Sequence, residues 1–198
     1  MFEHYYTQKP TTPLRIKYAE LILKNAHKYI FKTPSGVYSF GKIDKASKIL
    51  IEHSIAKSGK VLDLGCGYGV IGITLKKEYP EIELYMSDIN ERAVEFAKIN
   101  AKDNNVEATI KAGNLYSVWE NMVFDHIVSN PPIVAGKKVW MEIVEKAPEF
   151  LKDGGTLEIV AFHNKGGKRI KEFMNEIFGN VKDTWKEGGI RVYLSVKE

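Results

Sequence analysis

A doubly wound α/β sheet, mostly parallel, with helices on both faces and its last strand reversed, is the fold predicted for this 198-residue chain. Three observations predict it. After Gly59, short β-rich runs alternate with helical stretches, the order that sets parallel strands between crossover helices. An apolar run, Val61-Leu62-Asp63-Leu64, enters a glycine-rich turn, Gly65-Cys66-Gly67-Tyr68-Gly69, that opens a helix. Near the end, β-rich residues 181–186 and 191–196 flank Gly188-Gly189, and so short a connection joins only antiparallel strands.

The elements follow in order. Residues 14–33 read as irregular amphipathic structure leading to an extended stretch at 29–32. The Pro34-Ser35-Gly36 turn signal ends it before 37–40 resumes, which predicts a small hairpin. Asp44 is placed to cap a helix carrying Ala46, Ile49, Leu50, His53 and Ile55, with Gly59 as its stop. Strands are expected at 61–64, 83–87, 108–111, 124–129 and 156–161, and helices at 70–78, 91–103, 139–151 and 168–178. Two units result: a basic extension with the hairpin over 1–40, and the α/β domain over 41–198.

Composition excludes several classes. Hydrophobic residues are 44% and charged residues 27% of the chain, which argues against a disordered or fibrous protein. No apolar run reaches the roughly 18 residues of a membrane span, and residues 1–10 lack the apolar core of a secretory signal. One cysteine, Cys66, forms no internal disulfide and seeds no thiolate metal site, so a reducing cytoplasmic setting and no metal are expected. The net charge of +4 is uneven: residues 1–60 hold eleven Lys/Arg against four Asp/Glu, and the rest is slightly acidic. The basic end is a candidate anion-binding face, or a solvated surface in a lysine-rich chain.

The glycine turn carries the most chemistry. Gly65, Gly67 and Gly69 permit positive φ and close approach of a ligand to backbone. A dinucleotide site needs its third glycine where Val70 stands, and a pyrophosphate is repelled by Asp63. A cationic nucleoside reverses that argument, and S-adenosylmethionine is one. The run Asp63-Leu-Gly-Cys-Gly-Tyr-Gly69 resembles the first motif of class I S-adenosylmethionine-dependent methyltransferases, whose Rossmann-like fold it implies. By that resemblance Asp88, followed by Ile89, holds the ribose hydroxyls, and Asn114 with Leu115 meets the adenine; many relatives have Asp where Asn114 stands. The donor set implied is Asp63, Gly65, Cys66, Gly67, Gly69, Asp88, Ile89, Asn114, Leu115 and Asn130. Taken singly, Asp63 also fits a turn cap, Asp88 a helix N-cap and Asn114 an ordinary turn residue, while Cys66 reads as a small filler.

On the acceptor side, the fourth strand ends in Ser129-Asn130-Pro131-Pro132-Ile133. Paired prolines end a strand and fix the backbone at the sheet's carboxyl edge. Two fixed acceptors, the Asn130 side-chain oxygen and the Pro131 carbonyl, would hold the N–H groups of a conjugated amine and turn its lone pair toward a methyl donor. Asn-Pro-Pro followed by an aromatic is similar to the motif of methyltransferases acting on the amines of bases and glutamine amides. Ile133 replaces that aromatic here, so Trp140 and Phe162 are the candidates to stack on a planar acceptor.

The block Gly36-Val-Tyr-Ser-Phe-Gly-Lys-Ile-Asp44, with Ser47 and Leu50, is similar to small-subunit ribosomal RNA guanine N2-methyltransferases, which implies guanine in RNA as acceptor and RNA as partner. Bacterial members carry a further N-terminal domain, for which the basic segment, with Lys24, Lys28 and Lys32 among Tyr5, Tyr6, Tyr18, Tyr29 and Phe31, would partly stand in. A protein glutamine, a small molecule, or a non-catalytic module that binds S-adenosylmethionine or RNA are the alternatives. His126 reads as a core residue, and His163 has no triad partner.

Overall fold

In the computed structural model, which describes residues 7–133 and 136–198, the chain forms a two-stranded ribbon and a seven-stranded sheet. The ribbon pairs β1 (Ile16–Ile22) antiparallel with β2 (Lys28–Pro34). The expected pairing of 29–32 with 37–40 about Pro34-Ser35-Gly36 does not form; the extended stretch is instead the second strand, 28–34, of a hairpin that begins earlier in the chain. Its turn lies at 23–27 with Ala26 at φ 67°, and residues 37–40 form turns and bends. Alternation is the reason: Ala19 and Leu21 on one strand, and Phe31 and Thr33 on the other, are buried, a period of two that fixes the register. Tyr5 and Tyr6 lie outside the described residues.

Asp44 caps α1 (Lys45–His53), its carboxylate accepting from the Ser47 N–H at 2.9 Å. The helix ends at Ser54, and Gly59 opens β3 (Gly59–Leu64) instead of stopping the helix. The buried Glu158 carboxylate turns the chain there, accepting from Ser54 Oγ at 2.7 Å and from the Ile55 N–H at 3.1 Å. The α/β alternation then runs α2 (Val70–Glu78), β4 (Ile82–Asp88), α3 (Glu91–Asp103), β5 (Ala108–Ala112), β6 (Phe124–Ser129), α4 (Lys137–Phe150), β7 (Leu151–Phe162), α5 (Gly167–Phe178), β8 (Lys182–Glu187) and β9 (Ile190–Val196).

The sheet order is β5-β4-β3-β6-β7-β9-β8. β9 is antiparallel to both neighbours, so the reversed strand is last in the chain yet second from the sheet edge. Gly188 and Gly189, at φ 56° and 79°, supply the two left-handed residues that a tight β8–β9 turn needs. β3 sits between β4 and β6, and its residues Val61 to Leu64 are all buried, as suits the middle of a parallel sheet.

Helices α1, α2 and α3 cover one face with Ile49, Leu50, Ile73 and Phe96. Helices α4 and α5 cover the other with Ile143, Val144, Ile170 and Met174. The ribbon joins the first core through Leu21 and Phe31. Asn100 on α3 brackets Lys32, donating to its carbonyl at 3.0 Å and accepting from its N–H at 2.8 Å. Among the described residues no helix is long and apolar enough to cross a membrane.

Candidate functional site

The direction of winding reverses between β3 and β6, and ligands of open α/β sheets bind at such a point, beyond the carboxyl ends of the strands. A cavity of about 390 Å³ lies there, framed by the ends of β3, β4, β6 and β7. That volume suits a nucleoside-sized ligand.

The glycine loop forms one side. The N–H groups of Gly65 and Cys66 both donate to the Ser87 carbonyl on β4, at 2.9 and 3.0 Å, which folds the loop across the sheet end. Gly65 and Gly67 have φ of 75° and 56°, and a Cβ on either meets nothing within 4 Å, so bare backbone stands where a side chain would occupy the cavity. Gly69 does not line the cavity. It is the left-handed N-cap of α2 at φ 93°, and a Cβ there would strike Ile73 Cδ1 at 2.7 Å.

Asp88 lines the cavity at the end of β4, together with Ile89, Asn114 and Leu115. Its Oδ2 accepts from the Gly67 N–H and its Oδ1 from the Asn90 N–H, both at 2.8 Å. Each oxygen keeps a lone pair for a ligand hydroxyl. Asp88 is not the cap of α3: Asn90 fills that position, accepting from the N–H groups of Arg92 and Ala93. The Asn114 side chain makes no capping bond in the turn it precedes, which leaves it to the cavity. Burial, then the charges of Asp63 and Asp88, push the Cys66 thiol well up, which keeps it protonated and fits a filler rather than a nucleophile.

Asp63 lies outside the cavity lining, wholly buried behind the loop. Its Oδ2 accepts from the Gly72 N–H at 2.9 Å and its Oδ1 has no partner. Burial raises its carboxyl to about 7, opposed by the Gly72 hydrogen bond and reinforced by the charge of Asp88. In the unfolded chain the group titrates near 3.8, so it costs nothing below about pH 4. The cost then grows as pH rises toward 7, because only the unfolded chain releases the proton, and it levels off above 7. Urea unfolding of Asp63→Asn should therefore show a stability difference from the parent that shifts in the variant's favour by about 4 kcal/mol between pH 4 and 8. A pH-independent difference would mean that Asp63 titrates normally.

On the opposite side stand Asn130, Pro131, Pro132 and Ile133, with Phe162, Lys165 and Tyr38. Ser129 Oγ donates to the Leu64 carbonyl at 2.8 Å and pins the end of β6 to that of β3. The Pro131 carbonyl accepts the Ile133 N–H at 2.9 Å, which fixes its direction and leaves one lone pair. Phe162 is 39% exposed and borders the cavity, with Lys165 Nζ 5.5 Å from its ring centroid. Trp140 does not border it. Its spacing with Ile143, Val144 and Ala147 turns it into the core, where it packs edge-on against Phe173 at 5.9 Å. His126 bonds Thr156 Oγ1 and His163 bonds Tyr193 OH, and neither lines the cavity.

Tyr38, Ser47, Tyr68 and Lys165 also line the site and were not among the predicted site residues, and Asp44 was expected only as a cap. The Gly36 to Asp44 block held the signal for Tyr38 and Asp44, and Ser47 beside it for itself, since this stretch matched the resembled family while lying outside the sheet. Tyr68 OH donates to the Lys42 carbonyl at 3.0 Å, which ties this segment to the glycine loop.

Residues 28–194 match the family model described as Methyltransferase small domain. An uncharacterized Bacillus subtilis protein, YbxB, is 36% identical over the whole of both chains. Ribosomal RNA small subunit methyltransferase C of Hamiltonella defensa is 33% identical over 94% of this chain and 55% of its own length. Its counterpart from Photobacterium profundum is 41% identical over 64% and 38%. The chain thus spans about half the length, or less, of these two ribosomal RNA methyltransferases. A T. thermophilus 16S rRNA N2 G1207 methyltransferase, solved with AdoMet and guanosine, matches with a TM-score of 0.80 over 96% of this chain and 52% of that one, at 23% identity, a likeness of fold. With the family model covering both the glycine loop and the Asn-Pro-Pro turn, the chain belongs to the methyltransferase small domain family.

Proposed function

We propose that this protein transfers a methyl group from S-adenosylmethionine to the exocyclic amine of guanine in RNA, with ribosomal RNA as the substrate class and the cytoplasm as its place of action. The observation that carries the proposal is the rigid pair of acceptors at the cavity, the Asn130 amide and the Pro131 carbonyl, facing the glycine loop and Asp88. The names of the ribosomal RNA methyltransferase relatives support the choice of acceptor.

S-adenosylmethionine supplies the electrophilic methyl group. Asp88 accepts from its ribose hydroxyls, Asn114 and Leu115 hold the base, and the bare backbone of Gly65 and Gly67 admits the rest. Asn130 Oδ1 and the free lone pair of Pro131 each accept one amine N–H, which directs the nitrogen lone pair at the methyl before attack. Phe162 takes the stacking role that Ile133 lacks, with Lys165 beside it for a phosphate or base edge. Residues 41–198 are the catalytic unit in this scheme, and 1–40 the basic extension.

Incubating the protein with radiolabelled S-adenosylmethionine and separate RNA, protein and metabolite pools tests the proposal. Label in N2-methylguanosine after nuclease digestion is the expected result. Label in glutamine or a metabolite, or none at all, would replace it with one of the alternatives.

The basic segment contributes less to RNA binding than its charge count implies. Lys24 is paired with Glu52 and Glu187, each at 3.6 Å, and Lys32 with Asp103 at 2.7 Å. Charges already engaged within the fold release fewer counterions on binding. Neutralising Lys24, Lys28 and Lys32 together should lower the log–log salt slope of RNA binding by about 0.7 rather than about 2. Lys165→Ala alone should lower it by a similar amount, and filter binding at four salt concentrations checks both.

A further inference from the structure

We propose that Asp44 is a positioning residue for Asn130, fixing which end of its amide faces the acceptor. The inference rests on the reading of Asn130 as the group that accepts an amine N–H. Asn130 Nδ2 donates to Asp44 Oδ2 at 2.9 Å and to Ser47 Oγ at 3.0 Å.

The two ends of an asparagine amide have nearly the same shape, so only its partners decide which end points where. An ionised carboxylate accepts and never donates. If the Asn130 amide turned over, its Oδ1 would meet Asp44 Oδ2 with no proton between them. Ser47 alone cannot impose the choice, because a hydroxyl donates as readily as it accepts. Asp44 therefore reserves Oδ1 for the cavity, the orientation that takes an N–H from an amine and repels a carbonyl.

The carboxylate is itself held from several sides. Its Oδ1 accepts from Tyr38 OH at 3.0 Å, and its Oδ2 accepts the Ser47 N–H at the start of α1. The helix N-terminus favours its negative charge. The cap of a helix that precedes the main sheet thus sets the polarity of a side chain 86 positions later in the chain.

Asp44→Ser separates the two jobs, since serine still caps the helix but is too short to reach Asn130. Single-turnover methylation of an unmodified small-subunit ribosomal RNA transcript should slow about tenfold, the scale of one lost hydrogen bond to a charged group. Affinity for S-adenosylmethionine and the melting temperature should stay close to the parent's. Asp44→Asn should restore most of the rate, its carbonyl toward Asn130 and its amide toward the Tyr38 hydroxyl. In an Asn130→Ala background, Asp44→Ser should slow the reaction no further.

A second measurement needs no acceptor: the Asn130 side-chain amide protons, followed by ¹⁵N NMR, should be protected from exchange in the parent and lose protection in Asp44→Ser. Unchanged protection overturns the inference. So does a parental rate in Asp44→Ser, or an equal loss in the Asn130→Ala background, and in these cases the proposed function stands if Asn130→Ala is slow. A parental rate in Asn130→Ala overturns both the inference and the role of Asn130 on which it rests, while no methylation of the transcript by the parent itself overturns the proposed function.

Discussion

Asn130→Ala is expected to lower methyl transfer by about 100-fold or more while S-adenosylmethionine affinity stays within about threefold. The size follows from losing a preorganised partner of the transition state, whose benefit is realised only as the amine gives up its conjugation. Donor binding is largely spared because Asp88, Asn114 and the glycine backbone lie on the other side of the cavity. Stability should fall modestly, since Asn130 is half-buried and its two bonds leave Asp44 with the Ser47 and Tyr38 donors. Calorimetric titration and single-turnover kinetics on the same preparation separate the terms. A folded variant with parental turnover would remove Asn130 from the chemistry and leave Asn-Pro-Pro as a strand terminator.

Asp88→Ala should weaken binding of S-adenosylmethionine and S-adenosylhomocysteine about 100-fold. Two hydroxyl-to-carboxylate bonds vanish together, each of the charge-assisted kind. A purely structural Asp88 makes a different forecast, because it also anchors the N–H groups of Gly67 and Asn90. The two are told apart with an S-adenosylhomocysteine analogue lacking both ribose hydroxyls. If Asp88 acts through the diol, parent and variant bind the analogue nearly alike. If it only braces the loop, the variant loses as much with the analogue as with the natural ligand.

Much of the donor half was legible in the sequence because its signals are local. An apolar strand, positive-φ glycines and an acid at the next strand end lie within short stretches, and the structure brings them to one edge. The α2 and α3 boundaries and β6 were legible for the same reason, each marked by its own turn chemistry. The ribbon turn was not, since Ala26 adopts a left-handed conformation with no glycine to announce it, while Gly36 announced a turn that joins no second strand. Trp140 was misplaced because an aromatic near a site and an aromatic in a core look alike until the helix face is known. The link from Asp44 to Asn130 was invisible because nothing local connects a helix cap to the end of a strand in another part of the chain.

The place of β9 has a consequence for how the molecule is made. β8 leaves the ribosome before the strand that will attach it to the sheet, and until β9 arrives the outer edge of β7 is open. That edge offers unpaired backbone groups flanked by the apolar side chains of Ile159 and Val160, a template for any passing strand. The sheet is therefore completed through an intermediate with an open edge, and the hairpin turn at Gly188-Gly189, by closing fast and locally, shortens the interval in which a nascent chain could pair with a neighbour on the same message.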